Sequence, residues 1–556
     1  MRFGRIVADA LRSESVRLVF GLPGGKSIDI YDALIDTPEV RLVQVRHPAS
    51  AAFMAYAYAR LSGEPGVCHA TVGPGVHNLL SGIAEAWSAC MPIIALCPSV
   101  KRAHEGEGLL QEMSSGTAIF DSVTKWSVRA NLPERIQWFL RRAFQISSTG
   151  KPGPVLLEYP SDFNDLEINV PPYAPANRPI RSRGAQADVE RTVDMILKSE
   201  RPVILAGGGV YASRAFDELK LFAESLSIPV FTSCSGKGSL AEDHSMHAGM
   251  VGLYRTRVAK KFWEQTDLVI SVGSRFEELE SSNWKWLPRS AKLIQIDIDA
   301  NEIGRNWIPE TAIVGDAKLV LQDLRSSAVR RGVTGKASPW VNDLIKAKRE
   351  YEETIKSQSE ANSKPIKTIA VIKQLRNVFP RETILCNEHG LLDNWGYSHF
   401  PVLEAGACLA PGGNTPMGLA VVGSIAAKLL LPEHQVVCLT GDGAFQMYSD
   451  EVTTSVQYHA PVTWCVLNSF SLGWIKYDQQ LAYGNRHIGV DFTAQPDFVK
   501  LAEAYGCHGE TVERVSEIKQ ALEAALKANK EGIAAILDFR VDPEAITEGF
   551  QEYYEA

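Results

Sequence analysis

The sequence predicts an α/β protein of three doubly wound domains, each with a mostly parallel sheet. Short apolar runs that end in glycine turns alternate with segments of helical spacing along most of the chain. This alternation is typical of βαβ units. The length of 556 residues corresponds to three or four domains at roughly 100 to 200 residues each. A single hydrophobic core is therefore not expected.

Composition is that of a large soluble protein. Hydrophobic residues make up 45% and charged residues 22% of the chain, which argues against disordered and collagen-like classes. The formal net charge of −8 argues against a basic nucleic-acid-binding protein but leaves local phosphate sites open. No apolar run reaches the ~18 residues of a membrane span. We therefore expect neither nucleic acid nor a membrane as a partner.

The cysteines and the amino terminus predict a cytoplasmic protein. The nine cysteines occur singly, with no CxxC pair and several within apolar runs. This usage is typical of buried free thiols in a reducing compartment. Residues 1–19 mix charged and apolar side chains and lack the uninterrupted apolar core of a signal peptide.

Turn residues and breaks in periodicity set the predicted domain boundaries. The first domain covers residues 1–165, the second 186–330 and the third 366–556. A proline-rich stretch at 171–183 is predicted to be a linker, and residues 341–364 are predicted to form a connecting helix. The predicted strands are 16–20, 41–45, 66–71, 92–96 and 154–158 in the first domain, 202–205, 229–232, 268–272, 292–298 and 312–314 in the second, and 383–386, 435–440, 462–467 and 534–539 in the third.

The most informative motif joins a predicted strand to a helix. Gly441, Asp442 and Gly443 follow the apolar run 436–440, and a polar segment containing Asn468 follows the next strand. A carboxylate at the carboxyl end of a strand suits Mg²⁺, and glycine N–H groups at a helix start suit a diphosphate. As an isolated tripeptide the motif would also fit a simple turn, but its placement favours a cofactor site.

The chain resembles thiamine-diphosphate-dependent enzymes, and among them the acetohydroxyacid (acetolactate) synthases, almost from end to end. The family signature, GDG followed later by an asparagine pair, resembles the segments at 441–443 and 468–469. Further matching segments are 20–25, 58–60, 73–75, 153–155, 296–299 and 496–498. The resemblance implies pyrimidine-binding, central and diphosphate-binding domains in that order. It also implies a homodimer or homotetramer with active sites built between two subunits.

The resemblance assigns cofactor-binding roles in the third domain. Asp442 would bind Mg²⁺, while Gly441, Gly443 and Ala444 would hold the diphosphate. Met417 matches the apolar residue that supports the cofactor's bent shape. The alternative role of this methionine is core packing.

Three residues of the first domain are implied as parts of the active site. Gly25 lies in the glycine turn of the pyrimidine-binding domain, and Gln111 matches an active-site glutamine. Lys26 stands where a small residue is usual in the synthases. The lysine cation could bind a substrate carboxylate, and an equal alternative is that Lys26 is a solvated surface residue.

Several positions depart from the family. Pro48 replaces the glutamate that hydrogen-bonds the cofactor's pyrimidine; proline cannot relay that proton, and it could instead shape the start of the next helix. Ser469, beside Asn468, replaces the metal-binding asparagine, and Ser471 would lend its backbone carbonyl to the metal. Residues 391–393 replace the Gln-His-Gln segment that touches the diphosphate in the synthases.

The second domain resembles the flavin-binding domain of the synthases. The resemblance makes Gly208, Gly252, Arg275 and Asp316 candidate residues for binding FAD. Glycine turns after strands suit a dinucleotide, and an arginine can pair with its diphosphate. The alternative is that these turns are inherited with the fold and hold no flavin.

Two functions follow from these observations. The leading prediction is an enzyme that uses thiamine diphosphate and Mg²⁺ to cleave or join a carbon–carbon bond in a 2-oxo acid or a related carbonyl substrate. The alternative, motivated by the departures, is a family member that has lost thiamine chemistry. Such a protein would work with a flavin, or as a nucleotide-binding or assembly subunit.

Overall fold

The computed structural model describes residues 1–333 and 338–555. Within these residues the strands form three six-stranded sheets, and the strand pairs of all three are parallel. The predicted class, an α/β protein with three doubly wound and mostly parallel sheets, is confirmed.

The first sheet lies within residues 18–160. Its strands are β1 (Leu18–Leu22), β2 (Arg41–Gln44), β3 (Gly66–Ala70), β4 (Ile93–Ser99), β5 (Trp126–Arg129) and β6 (Val155–Pro160). The helices of this part are α1 (Phe3–Ser13), α2 (Ile28–Ile35), α3 (Pro48–Ser62), α4 (Pro74–Asn78), α5 (Leu80–Ser88), α6 (Gly116–Phe120) and α7 (Ile136–Ser148). The strand order β2-β1-β3-β4-β6-β5 places β2 on one side of β1 and the later strands on the other, as in doubly wound sheets.

The second sheet lies within residues 202–314. Its strands are β7 (Pro202–Ala206), β8 (Val230–Thr232), β9 (His247–Met250), β10 (Leu268–Val272), β11 (Lys292–Asp297) and β12 (Thr311–Val314), in the order β12-β11-β10-β7-β8-β9. The helices around it are α8 (Gln186–Lys198), α9 (Gly208–Ser213), α10 (Phe216–Leu226), α11 (Arg257–Glu264), α12 (Glu278–Ser281) and α13 (Ala317–Arg330). The predicted connecting helix is α14 (Pro339–Ser359).

The third sheet lies within residues 384–540. Its strands are β13 (Ile384–Asn387), β14 (Cys408–Leu409), β15 (Val436–Gly441), β16 (Thr463–Asn468), β17 (His508–Val512) and β18 (Ala535–Arg540), in the order β14-β13-β15-β16-β18-β17. The remaining helices are α15 (Thr368–Val378), α16 (Asn394–His399), α17 (Leu419–Leu430), α18 (Asp442–Met447), α19 (Val452–Gln457), α20 (Gly473–Tyr483), α21 (Phe498–Ala504), α22 (Val515–Lys530) and α23 (Glu548–Glu555).

Four strands were missed by the sequence analysis, and each lies at an edge of its sheet. They are β5, β9, β14 and β17. An edge strand has a neighbour on one side only and is less completely buried, so it needs no continuous apolar run. All four residues of β5 are half-buried, and β14 has only two residues. The predicted strands that the structure contains have boundaries within a few residues of those observed.

Close packing groups the described chain into two compact units. The first unit comprises Met1–Ile180, Gly412–Leu430 and Asp450–Tyr458. In it, helix α3 packs against helix α17, and nearly every residue of both helices is buried. Helix α3 also approaches β3 closely, because a Cβ atom on Gly66 would lie 2.0 Å from the carbonyl oxygen of Ala55. The third-sheet helix α17 is therefore part of the core of the first unit.

The second unit comprises Arg181–Pro411, Leu431–Ser449 and His459–Ala556. The second and third sheets lie in it, and α14 packs within it through the rings of Trp340 and Phe262, whose centroids are 4.7 Å apart. No helix among residues 1–333 and 338–555 is both long and apolar enough to cross a membrane. All nine cysteines are free thiols. Residues 171–183 contain neither helix nor strand.

Candidate active site

Asp442 lies at the carboxyl end of β15 and begins α18. Asp442 is only 1% exposed to solvent. Burial raises the pKa of its carboxyl to about 6, although Gln495 and the backbone N–H groups of Asp442 and Gly443 donate to it and oppose the rise. A buried carboxyl with a raised pKa is an environment that a cation would stabilise.

The turn 469–471 follows the neighbouring strand. Strands β15 and β16 are paired with Gly441 opposite Leu467, so both carboxyl ends reach the same edge of the sheet. The backbone N–H of Phe470 lies near enough to the Asp442 carboxyl to oppose the rise in its pKa, and the hydroxyl oxygens of Ser469 and Ser471 are 3.3 Å apart. The structure therefore brings the three predicted metal-binding residues to one place.

Asn468 shapes this turn through its side-chain amide. Its Oδ1 accepts a hydrogen bond of 3.1 Å from the backbone N–H of Phe470, and its Nδ2 donates at 2.9 Å to Asp538. Both ends of the amide are thus used inside the protein. The Asn468 side chain therefore holds the turn 469–471 in place.

The oxygen atoms at this edge suit Mg²⁺ better than a transition metal. Mg²⁺ prefers carboxylate, hydroxyl and carbonyl oxygens, and it keeps several waters. Among the described residues, no group of three or more His, Cys, Asp or Glu side chains is arranged to hold a metal ion. A metal at Asp442 would therefore need further oxygens from Ser469, Ser471 or a ligand.

A second buried carboxyl stands beside Asp442. Asp393 is 2% exposed, accepts a hydrogen bond from the backbone N–H of Gly441, and has an Oδ1 with no hydrogen-bond partner in the described part of the chain. Burial, followed by the charges of Glu388 and Asp442, raises the pKa of this carboxyl well above its usual value. The group is neutral well beyond the pH at which an exposed aspartate would ionise.

The predicted residues Lys26 and Gln111 lie in one neighbourhood of the first unit. Lys26 Nζ donates a hydrogen bond of 2.6 Å to the carbonyl of Leu110. Gln111 has a left-handed backbone with φ of 65°, and it lies against Gly73, where a Cβ atom would be 2.9 Å from the Gln111 Cβ. By contrast, nothing lies within 4 Å of the Cβ position of Gly25, so this glycine is open to a ligand.

Pro48 is the first residue of α3. The turn before it is held by Glu451, whose Oε1 accepts hydrogen bonds from the backbone N–H groups of Arg46 and His47 at 2.8 and 3.0 Å. Proline suits the first helical position because its missing N–H has no intrahelical partner there. The residue that replaces the family's glutamate therefore has a local structural role.

Met417 is half-buried in the turn that precedes α17. It belongs to the first unit, whereas Asp442 belongs to the second. Its partial exposure is compatible with contact to a ligand and distinguishes it from the fully buried core of α17.

The candidate flavin residues have contacts within the second unit. A Cβ on Gly252 would lie 2.1 Å from the carbonyl oxygen of Leu279, and one on Gly208 would lie 3.2 Å from the Cβ of Ser235. Arg275 forms a 2.8 Å ion pair with Glu277.

Asp316 caps α13 and is paired in the same unit. Its carboxylate accepts hydrogen bonds from the backbone N–H of Leu319 and, at 2.9 Å, from the hydroxyl of Ser213. It also forms a 2.8 Å ion pair with Arg181. Gly252, Arg275 and Asp316 are thus packed or paired within the second unit.

Comparison with known proteins decides the family. The family described as "Thiamine pyrophosphate enzyme, N-terminal TPP binding domain" matches residues 1–119, its central domain matches 189–324, and its C-terminal TPP binding domain matches 388–538. A probable acetolactate synthase large subunit of Methanocaldococcus jannaschii is 36% identical over 98% of this chain and 92% of its own length. The chain belongs to the thiamine pyrophosphate enzyme family.

Other relatives of this thiamine pyrophosphate enzyme carry similar names. An acetolactate synthase large subunit of Buchnera aphidicola is 32% identical over 97% of the chain and 94% of its own length. The acetolactate synthase isozyme 3 large subunit of Escherichia coli is 30% identical over the same shares. The prediction of a thiamine-diphosphate-dependent, acetolactate-synthase-like enzyme is confirmed, and nothing supports the alternative of a subunit without thiamine chemistry.

Two residues beside Asp442 are not among the predicted site residues of this thiamine pyrophosphate enzyme. Gln495 was missed although it precedes the matching segment 496–498. Asp393 was noted only as a departure within 391–393. The neighbouring segment 496–498 makes Gln495 a candidate without indicating its contact with Asp442, and Asp393 lies within the departing segment 391–393.

Proposed function

We propose that this enzyme uses thiamine diphosphate and Mg²⁺ to join 2-oxo acids, as the names of its acetolactate synthase relatives suggest. The observation that carries the proposal is the buried carboxyl of Asp442, which lies beside the 469–471 turn at the carboxyl end of a parallel sheet. Ligands of open α/β sheets bind at this edge.

The proposed metal site consists of three residues. Asp442 would give a carboxylate oxygen, Ser469 its hydroxyl and Ser471 its backbone carbonyl, with Asn468 holding the turn in place. A hydroxyl is a weaker ligand than an amide oxygen. We therefore expect Mg²⁺ to bind more weakly here than at a site with asparagine in place of Ser469.

The diphosphate and the rest of the cofactor would contact other segments. Gly441, Gly443 and Ala444 would hold the diphosphate at the start of α18, because the first turn of a helix leaves N–H groups such as that of Ala444 without intrahelical partners. Met417 and Gly25 would contact the apolar parts of the cofactor. When bound, thiamine diphosphate supplies the carbon nucleophile that adds next to a carbonyl.

Substrate binding would involve the neighbourhood of Lys26 and Gln111. A lysine cation can hold a 2-oxo acid by its carboxylate, and a glutamine amide can orient the carbonyl. Pro48 offers no acid–base group, so proton transfer to the cofactor must depend on another group. This enzyme is accordingly expected to activate its cofactor more slowly than relatives with a glutamate at this position.

Calorimetry tests the proposal directly. Thiamine diphosphate is titrated into the full-length protein with and without Mg²⁺, and pyruvate is used as the probe 2-oxo acid for product formation. We expect Mg²⁺-dependent binding that is lost in Asp442→Ala and retained in the control Asp343→Ala, because Asp343 is exposed on α14. Absence of thiamine diphosphate binding to the wild-type protein would reject the proposal.

FAD and assembly are further parts of the proposal. FAD is a candidate second cofactor on the resemblance alone, and the residues that would bind it are Gly208, Gly252, Arg275 and Asp316. The test is to denature the protein and record the absorption spectrum of the released cofactor, which should be that of a flavin. A homodimer or homotetramer in the cytoplasm is expected from the same resemblance. Light scattering on the purified protein measures the assembly.

A further inference from the structure

A buried carboxylate holds the loop that leads to Met417. Glu85, in α5, is 0% exposed, and its Oε1 accepts a hydrogen bond from the backbone N–H of Gly412. The backbone N–H groups of Thr415 and Asn414 also face this carboxyl and oppose the rise that burial causes in its pKa. Three N–H groups of the loop 412–415 thus face one buried side chain.

The loop fits closely on the end of α5. The backbone N–H of Asn414 lies 3.1 Å from the hydroxyl oxygen of Ser88. A Cβ on Gly412 would lie 2.5 Å from the Cβ of Ala89, so only glycine allows this approach. Thr415 has a left-handed backbone with φ of 43°, which a β-branched residue adopts only when its surroundings impose it.

We propose that Glu85 is a positioning residue, which fixes the loop 412–415 and thereby the place of Met417 two residues later. The inference rests on the proposed function to the extent that Met417 supports a bound cofactor. Glu85 itself touches no substrate or cofactor in this proposal. It acts through the backbone of the loop.

The chemistry of the contact requires a carboxylate. Burial raises the pKa of Glu85 to about 7, although the loop N–H groups oppose the rise. Above that pH the ionised carboxylate only accepts hydrogen bonds, with two oxygens and about four acceptor sites. The amide of Gln has one oxygen and an NH₂ group, so in Glu85→Gln a donor would face the donors of the loop. Glu85→Asp keeps the charge on a shorter side chain and should restore part of the contact.

Hydrogen–deuterium exchange of the full-length protein without added cofactor tests the inference. In Glu85→Gln we expect the amides of 412–418 to exchange roughly tenfold faster, the factor that corresponds to losing one charge-assisted hydrogen bond. Glu85→Asp should show a smaller increase. The control is Glu14→Gln, because Glu14 is a buried carboxyl of the same unit that pairs with Arg178.

Ser88→Ala is a second variant that leaves the buried carboxyl in place. It should speed exchange at Asn414 alone, and it keeps the test available if Glu85→Gln does not fold. Unchanged exchange over 412–418 in Glu85→Gln, or an equal increase in Glu14→Gln, would overturn the inference. Loss of folding in Glu85→Gln together with unchanged exchange in Ser88→Ala would also overturn it.

Cofactor affinity separates this inference from the proposed function. If both hold, thiamine diphosphate should bind roughly tenfold more weakly to Glu85→Gln than to wild type, with Glu85→Asp in between. If the wild-type protein binds no thiamine diphosphate, the proposed function fails while the exchange result still decides the role of Glu85. Faster exchange with unchanged affinity would reject the link to Met417.

Discussion

The buried carboxylate of Glu451 accepts a hydrogen bond of 2.8 Å from the backbone N–H of Arg46. A second bond comes from His47, and the other carboxylate oxygen accepts the hydroxyl of Thr454 at 2.7 Å. One side chain thus accepts two backbone N–H groups of the turn that leads into Pro48. The position of Pro48 at the start of α3 depends on this contact.

Removing this carboxylate should destabilise the first unit. Glu451→Ala leaves the half-buried backbone N–H groups of Arg46 and His47 without this acceptor, at a cost of about 2 to 4 kcal/mol in the free energy of unfolding. Glu451→Gln retains one oxygen and should lose less. Urea unfolding curves of the full-length variants measure both, and equal stability of Glu451→Ala and wild type would contradict the prediction.

A carboxylate at position 48 should increase thiamine-dependent turnover. Pro48→Glu restores a group that can relay a proton, and acidic residues are favourable in the first turn of a helix. We expect a gain of about tenfold or more in product formation with added thiamine diphosphate. Pro48→Gln is the matched control, since an amide has similar size but cannot relay the proton. A similar gain in both variants would show that loss of proline, and not proton transfer, is responsible.

The Asp393 carboxyl should make cofactor binding depend on pH. Its pKa is raised by burial and by the charges of Glu388 and Asp442, so it ionises only as the pH rises well above the usual range. An ionised Asp393 would repel a diphosphate. Calorimetric affinity for thiamine diphosphate should therefore fall toward alkaline pH in the wild type and stay flatter in Asp393→Asn. If the affinity of the wild type and of Asp393→Asn depended on pH in the same way, the prediction would be wrong.

The ionised carboxyl of Asp442 should lower the free energy of unfolding when no metal is bound. Its pKa rises from 3.8 to about 6, so the protonated form is favoured by folding. This stabilisation is complete below pH 3.8 and is lost as the pH rises through about 6. Above that pH, metal-free Asp442→Asn should be more stable than wild type, by about 3 kcal/mol at most.

Thermal unfolding with and without ligands measures this effect. Mg²⁺ and thiamine diphosphate together should raise the melting temperature of the wild type and leave Asp442→Asn nearly unchanged, because a ligand stabilises the state that binds it. A metal-free Asp442→Asn variant that is less stable than wild type at neutral pH would contradict the prediction that the Asp442 carboxyl destabilises the metal-free protein.

The fold could be predicted from the sequence wherever strands are buried on both faces. Central strands such as β10 and β15 are mostly apolar, and a glycine ends or directly follows each of them. Burial on both faces explains the apolar composition. The edge strands β5 and β17 consist mostly of half-buried residues. Their pairing depends on a neighbouring strand and not on their own composition.

Part of the candidate site could likewise be predicted from the sequence. Asp442 and Ser469 follow adjacent strands, so their proximity follows from the parallel sheet. Gln495 stands 53 residues from Asp442 in the chain, and nothing in its local sequence indicates the contact. The role of Glu85 was not foreseen, because a glutamate within a helix is usually exposed and its acceptance of loop N–H groups is a tertiary feature.

The packing of α17 on α3 limits how this protein could have been assembled from parts. Residues 412–430 and 450–458 belong to the same compact unit as residues 1–180, although they occur within the third sheet's stretch of sequence. A gene fragment ending near residue 180 would encode a polypeptide whose α3 exposes a wide apolar surface to water. Recombination that exchanges the amino-terminal third of this chain for that of a distant relative must therefore exchange α17 with it, or the new pair of helices will not fit.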